Sequence, residues 1–81
     1  MNFEETKKAM VKYCTNEGSY SYLKDKITDY IENTNTDNQT QKIDMVCNDL
    51  FIARSMLEQG NTYWAIAKYN FVKNYLLTLN K

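Results

Sequence analysis

The stretch IDMVCNDLFIARSMLEQGNTYWAIAKYNFVKNYLLTL, residues Ile43–Leu79, decides the fold. Ile43, Val46, Leu50, Ala53 and Leu57 recur at 3-4-3-4 spacing, which places them on one face of a helix. Met45, Ile52 and Met56 form a second apolar stripe on the opposite side. A helix with two apolar stripes is expected to pack on both sides. One side is assigned to the following helix, the other to the N-terminal helices or to a second copy of the chain. Gln59-Gly60-Asn61-Thr62 ends this helix, and Asn61 or Thr62 caps the next. From Thr62 to Asn80, Trp64, Ala65, Tyr69, Phe71, Val72, Tyr75, Leu76 and Leu79 fall in an apolar arc of roughly 160° at 100° per residue. Ile66 and Leu77 lie outside that arc, so this helix is expected to touch a third element.

Working back toward the N-terminus, Asn2 and Glu5 have capping-box spacing before a first helix over Phe3–Asn16. Gly18 is the residue expected to take the left-handed cap conformation behind it. Ser19 or Ser21 caps a second helix to Asn33, with Tyr20, Leu23, Ile27, Tyr30 and Ile31 on one face. Residues 33–41 carry no apolar side chain and read as a polar loop. Thr36, Asp37 or Thr40 is available to cap the next helix, which would shorten the loop.

With 81 residues, no proline and two glycines, the chain reads as a single all-α domain, a four-helix bundle of two helical hairpins. A three-helix form with a frayed first helix is the alternative. A chain of this size hides roughly 60% of its unfolded surface, so a partner chain would add needed stability. The formal charge is zero, but residues 1–50 hold nine acids and six bases, while 51–81 hold one acid and four bases. That neutrality argues against duplex nucleic-acid binding, which needs several phosphate-neutralising bases. No signal-peptide core or membrane-length run is present, and Cys14 and Cys47 lack a C-x-x-C spacing, which points to the cytoplasm. The Asn-, Lys-, Tyr- and Ile-rich composition is that of AT-rich codons, as in an AT-rich bacterium or its phages.

Catalysis is poorly served. There is no His, the two thiols lack a partner base, and no Gly-rich phosphate loop occurs. We therefore expect a non-enzymatic binder with no cofactor and no metal. Two bases stand where apolar residues are expected. Lys68 has Trp64, Ala65, Phe71 and Val72 as its helical neighbours; Arg54 has Leu50, Phe51, Leu57 and Glu58. In a hairpin folded about Gly60 both are expected to point into one space, as a site for an anionic group walled by Trp64, Tyr69 or Phe71. The competing reading lays their stems on apolar surface with the charged heads on water, Glu58 or Asp49. Tyr63 and Tyr22, off the apolar arcs, are interface candidates. Arg54, Lys68, Tyr63, Trp64, Tyr69 and Lys73 form the candidate partner- or ligand-binding set.

Gly60, Ala65 and Tyr69, with Ala53 before them, make residues 43–77 resemble a tetratricopeptide-type helical hairpin. The early Trp and closing Pro of that family are absent, and its members need several repeats to bury a core. The resemblance implies a hairpin. Ile52-Ala-Arg54-Ser-Met-Leu-Glu-Gln-Gly60 is similar to a run in small helical phage proteins that sequester cyclic-nucleotide signals of bacterial immunity. That likeness implies a ligand role for Arg54. The expected function is therefore binding and inhibition of another protein by a phage-borne anti-defence protein, with homodimerisation a further expectation. The alternative is a sponge for an anionic cyclic nucleotide.

Overall fold

The computed structural model describes residues 3–34 and 39–79. Four helices follow one another: α1 (Phe3–Cys14), α2 (Tyr20–Asn33), α3 (Gln39–Glu58) and α4 (Thr62–Thr78). No strand occurs among the described residues. α3 is the hub. It contacts α1, α2 and α4, and α1 also pairs with α2. The buried residues form one core: Met10 and Tyr13 from α1, Leu23, Ile27 and Ile31 from α2, Val46 and Leu50 from α3, Val72 and Leu76 from α4.

Local sequence explains most boundaries. Ser19 caps α2, its hydroxyl accepting from the Tyr22 N–H at 3.1 Å. α3 ends where the Asn61 N–H reaches the Met56 carbonyl at 2.8 Å and the Gly60 N–H reaches that of Leu57 at 3.0 Å. Gly60 takes φ +83°, a conformation that costs a residue with a Cβ more. Asn61 precedes α4 without a side-chain cap bond.

One local expectation needs correction. At the end of α1 the left-handed residue is Asn16, φ +66°, not Gly18. Asn tolerates this region, whereas Gly18 serves close approach: a Cβ there would lie 3.2 Å from Lys12 Cβ. α3 begins at Gln39, inside the polar stretch 33–41, which agrees with a helix start that shortens the loop. Gln39, Thr40 and Gln41 are tolerated there because they lie on an outer, largely exposed part of the turn. Asn2, Thr36 and Asp37, considered as caps, lie outside the described residues.

The apolar arc of α4 also divides differently. Ala65, Val72 and Leu76 are buried, and Tyr69, Tyr75 and Leu79 pack partly against the core. Trp64 and Phe71 stay 57% and 59% exposed. α3 sends its main stripe toward the N-terminal helices and α4 together, and the second stripe is only partly covered: Met45 is exposed, Ile52 and Met56 half-buried.

One polar contact fastens the two ends of the fold. The Tyr30 hydroxyl on α2 donates to the Leu76 carbonyl on α4 at 2.9 Å, inside the core. Tyr30 is 1% exposed, and the Phe3 ring stands edge-on to it at 5.4 Å. Replacing Tyr30 by Phe keeps the ring and removes the bond. We expect a loss of about 1 kcal/mol, read as a melting temperature lower by about 4–8 °C in circular dichroism. An unchanged melting temperature would mean that the bond contributes nothing.

Candidate functional site

The structure separates Arg54 from Lys68. On α3, Asp49 and Arg54 stand about 140° apart around the helix axis. The Lys68 Nζ lies 3.4 Å from Asp49 Oδ1, on the flank that α3 shares with α4. The Arg54 guanidinium turns the other way, toward α1. It sits over the Tyr13 ring at 4.9 Å, donates to Asn16 Oδ1, and lies 3.7 Å from Glu58 Oε2. The expected shared anion site is therefore not formed. The hairpin places residues 54 and 68 at similar heights, but their helical phases point them to different neighbours.

Arg54 is held for a structural reason. Asn16 is in the left-handed conformation that ends α1, and its side-chain oxygen receives the guanidinium. The contact pins the α1–α2 turn onto α3. Around Arg54 opens a groove of about 670 Å³, with Tyr13, Tyr20 and Phe51 as its aromatic walls and Asp44 and Asn48 on α3 beside them. These aromatics replace the Trp64, Tyr69 and Phe71 expected around the bases. Tyr13 and Tyr20 meet edge-on at 5.9 Å. Only the tertiary arrangement of the α1–α2 hairpin brings them to Arg54, so spacing along α3 and α4 carried no signal for them.

The remaining candidates divide between two sides of α4. Trp64 and Lys68 lie on the side facing the outer stripe of α3. Tyr69 and Lys73 lie on the side facing α1, with Tyr63 farther round and 73% exposed. Tyr63 and Trp64 touch edge-on at 5.1 Å.

On the α1 side a notch of about 180 Å³ is bounded by Val11 and Cys14 of α1, Leu57 of α3, and Ala65, Ile66 and Tyr69 of α4. Its walls are apolar apart from hydroxyl groups. Val11 is 42% and Ile66 53% exposed. The sequence held a signal for Ile66, which fell outside the α4 arc and so had to face something other than α3. Val11 and Leu57 carried no such mark.

The two thiols are buried and free. Burial pushes the Cys14 thiol up to about 11 against the pull of Arg54, and its Sγ lies 3.9 Å from the Leu50 carbonyl. Burial also raises Cys47, offset in part by a hydrogen bond with Tyr20. Such thiols are poor nucleophiles at neutral pH. Among the described residues no group of three or more His, Cys, Asp or Glu side chains is placed to hold a metal ion. No helix among them is long and apolar enough to cross a membrane. No known protein family, curated protein or solved structure matches the chain.

Two outcomes follow from these contacts. Asp49 is only 16% exposed at its side chain, so Lys68→Met leaves a half-buried carboxylate without its partner. We expect a loss of about 1 kcal/mol, seen in urea titration; a variant as stable as wild type would show the pair to be dispensable. The Cys14 shift sets a second expectation. Between pH 9 and 11 an unfolded chain has released the Cys14 proton and the folded chain retains it. Rising pH therefore favours unfolding, by on the order of 2 kcal/mol at pH 11. Urea midpoints should hold steady to about pH 8 and fall above 9, with a shallower fall in Cys14→Ala.

Proposed function

We propose that this chain is a non-enzymatic cytoplasmic protein that binds another protein and inhibits it by covering its surface. The observation that carries the reading is the apolar notch between α1 and α4. Small-molecule sites run from roughly 300 to 1,000 Å³, and the notch holds about 180 Å³. That is close to a cavity of about 150 Å³ that takes one benzene. It suits a single aliphatic or aromatic side chain inserted from a partner, the usual form of an interface anchor. Ile66 and Val11 stand exposed at its rim, and Lys73, half-buried and four residues after Tyr69, falls on the same side of α4 by helical phase, where it can meet a partner's acid. Small size and the absence of His agree with a binder rather than a catalyst. A phage-borne inhibitor of host defence fits the size and the AT-rich composition.

A second reading, sequestration of an anionic nucleotide, draws on the Arg54 groove. Its 670 Å³ fall within the small-molecule range, and Tyr20 and Phe51 offer ring faces. Asp44 in the groove and Glu58 beside the guanidinium oppose an anion there, so protein binding is preferred.

The readings separate when full-length tagged protein is recovered from host lysate and weighed under native conditions. We expect a stoichiometric protein partner with wild type and at least a tenfold loss of it with Ile66→Arg. Position 66 is half-exposed, so the melting temperature should stay within a few degrees. A chain that emerges with a bound nucleotide and no protein overturns the preferred reading.

A further inference from the structure

A different surface lies opposite the notch side of α4. On α3 the residues Met45, Asp49, Ile52 and Met56 follow 4-3-4 spacing. On α4 the residues Trp64, Lys68, Phe71 and Tyr75 follow the same spacing. The Lys68–Asp49 contact at 3.4 Å shows that these two flanks adjoin. Together they make a face two helices wide in which six apolar side chains surround one acid and one base. Trp64, Phe71 and Met45 are 57%, 59% and 41% exposed. Ile52, Met56 and Tyr75 are half-buried, as are Asp49 and Lys68, so the three exposed residues stand on a partly covered base. A 3-4 repeat of this kind is the seam of a helix pair, and here each helix carries it on a side that its own chain covers only in part.

We infer that the chain forms a symmetric dimer through this face, the two α3–α4 hairpins pairing around a two-fold axis into a four-helix arrangement. Charge selects a second copy over an unrelated partner. A two-fold dimer is self-complementary, so a residue i that meets j in the second copy is matched by j meeting i. One Asp and one Lys side by side satisfy that rule: each Asp49 lies within reach of both its own Lys68 and that of the second copy. Four charges then alternate around the axis. The charges fix the register, and the apolar residues supply the affinity.

The size fits as well. At 1.5 Å per residue α4 is about 25 Å long, and two adjacent helices span about 20 Å, giving roughly 500 Å² in projection. Protruding side chains such as Trp64 and Phe71 raise the accessible area above this, toward the roughly 600–800 Å² per partner of a specific interface. The dimer leaves the notch lined by Val11 and Ile66 open on each copy, so it stands apart from the proposed partner site.

The test is a charge exchange on the full chain, followed by sedimentation and light scattering at about 50 µM. Wild type should show twice the 9.6 kDa chain mass. The single tryptophan, Trp64, should shift its emission to the red on dilution as it returns to water. Asp49→Lys alone and Lys68→Asp alone each place like charges around the axis and should weaken the dimer by about 100-fold or more. An equimolar mixture of the two variants restores opposite charges across the interface and should recover the doubled mass. So should the single chain carrying both substitutions, in which the intrachain pair is also intact. Phe71→Glu changes an exposed position and should give a folded monomer. Wild type at the monomer mass overturns the inference. A mixture that fails to recover the dimer while the doubly substituted chain does, or an undiminished dimer in Phe71→Glu, overturns it too.

Discussion

Everything in this molecule rests on the inner stripe of α3. Val46, Leu50 and Ala53 are fully buried, and α1, α2 and α4 each lay an apolar face against that helix. In so small a domain there is no second layer to share the burial, so one helix must be covered from several directions at once. α1 and α2 close over one part of the stripe and α4 over the rest. Because three helices compete for one arc, α3 cannot also bury its outer residues within a single chain. The exposure of Met45 follows from this limit, and on α4 Trp64 and Phe71 stay exposed beside it.

The polar contacts secure this arrangement at its edges. Tyr30 ties α2 to the last turn of α4 through a buried bond, and Arg54 ties α3 to the turn after α1 through Asn16 and the Tyr13 ring. Lys68 and Asp49 join α4 to α3 on the outer flank. Each is a long or aromatic side chain that spans two elements while its apolar part lies on the core surface. Lys68 and Arg54 thereby acquire structural partners, and a long basic side chain among apolar neighbours need not mark an anion site. The outer pair differs from the other contacts in one respect: it sits inside an apolar face, where an ion pair also sets register between surfaces.

α4 connects fold to function. Apolar residues lie all around it: Leu76 faces the core, Phe71 the outer flank and Ile66 the α1 side. A helix of that kind inside one small domain has surfaces left over. Its two uncovered sides differ in kind. The α1 side forms a concave notch sized for one side chain; the outer side is broad and self-complementary in charge. The proposed partner site and the inferred self-association use different sides of α4, so the two do not compete for one surface.

Much of the architecture was legible in the chain itself. The 3-4 spacing from Ile43 to Leu57, the turn at Gly60, Ser19 as a cap and the amphipathic α2 each depend on neighbours a few residues apart. Local conformational preference and apolar periodicity act over that range, so four helices follow from them. Helical phase also identified Ile66 and the Met45–Ile52–Met56 stripe as needing contacts beyond the α3–α4 hairpin. Tertiary structure decided the rest. Whether Trp64 and Phe71 fall inside the core arc depends on the angle at which α4 lies on α3. Whether Arg54 and Lys68 meet depends on the rotation of both helices about their own axes. Tyr13 and Tyr20 reach Arg54 only because the α1–α2 hairpin folds back over the middle of α3. Periodicity determines which residues share a face of one helix; the packing of helices against a single crowded core determines which faces remain for a partner.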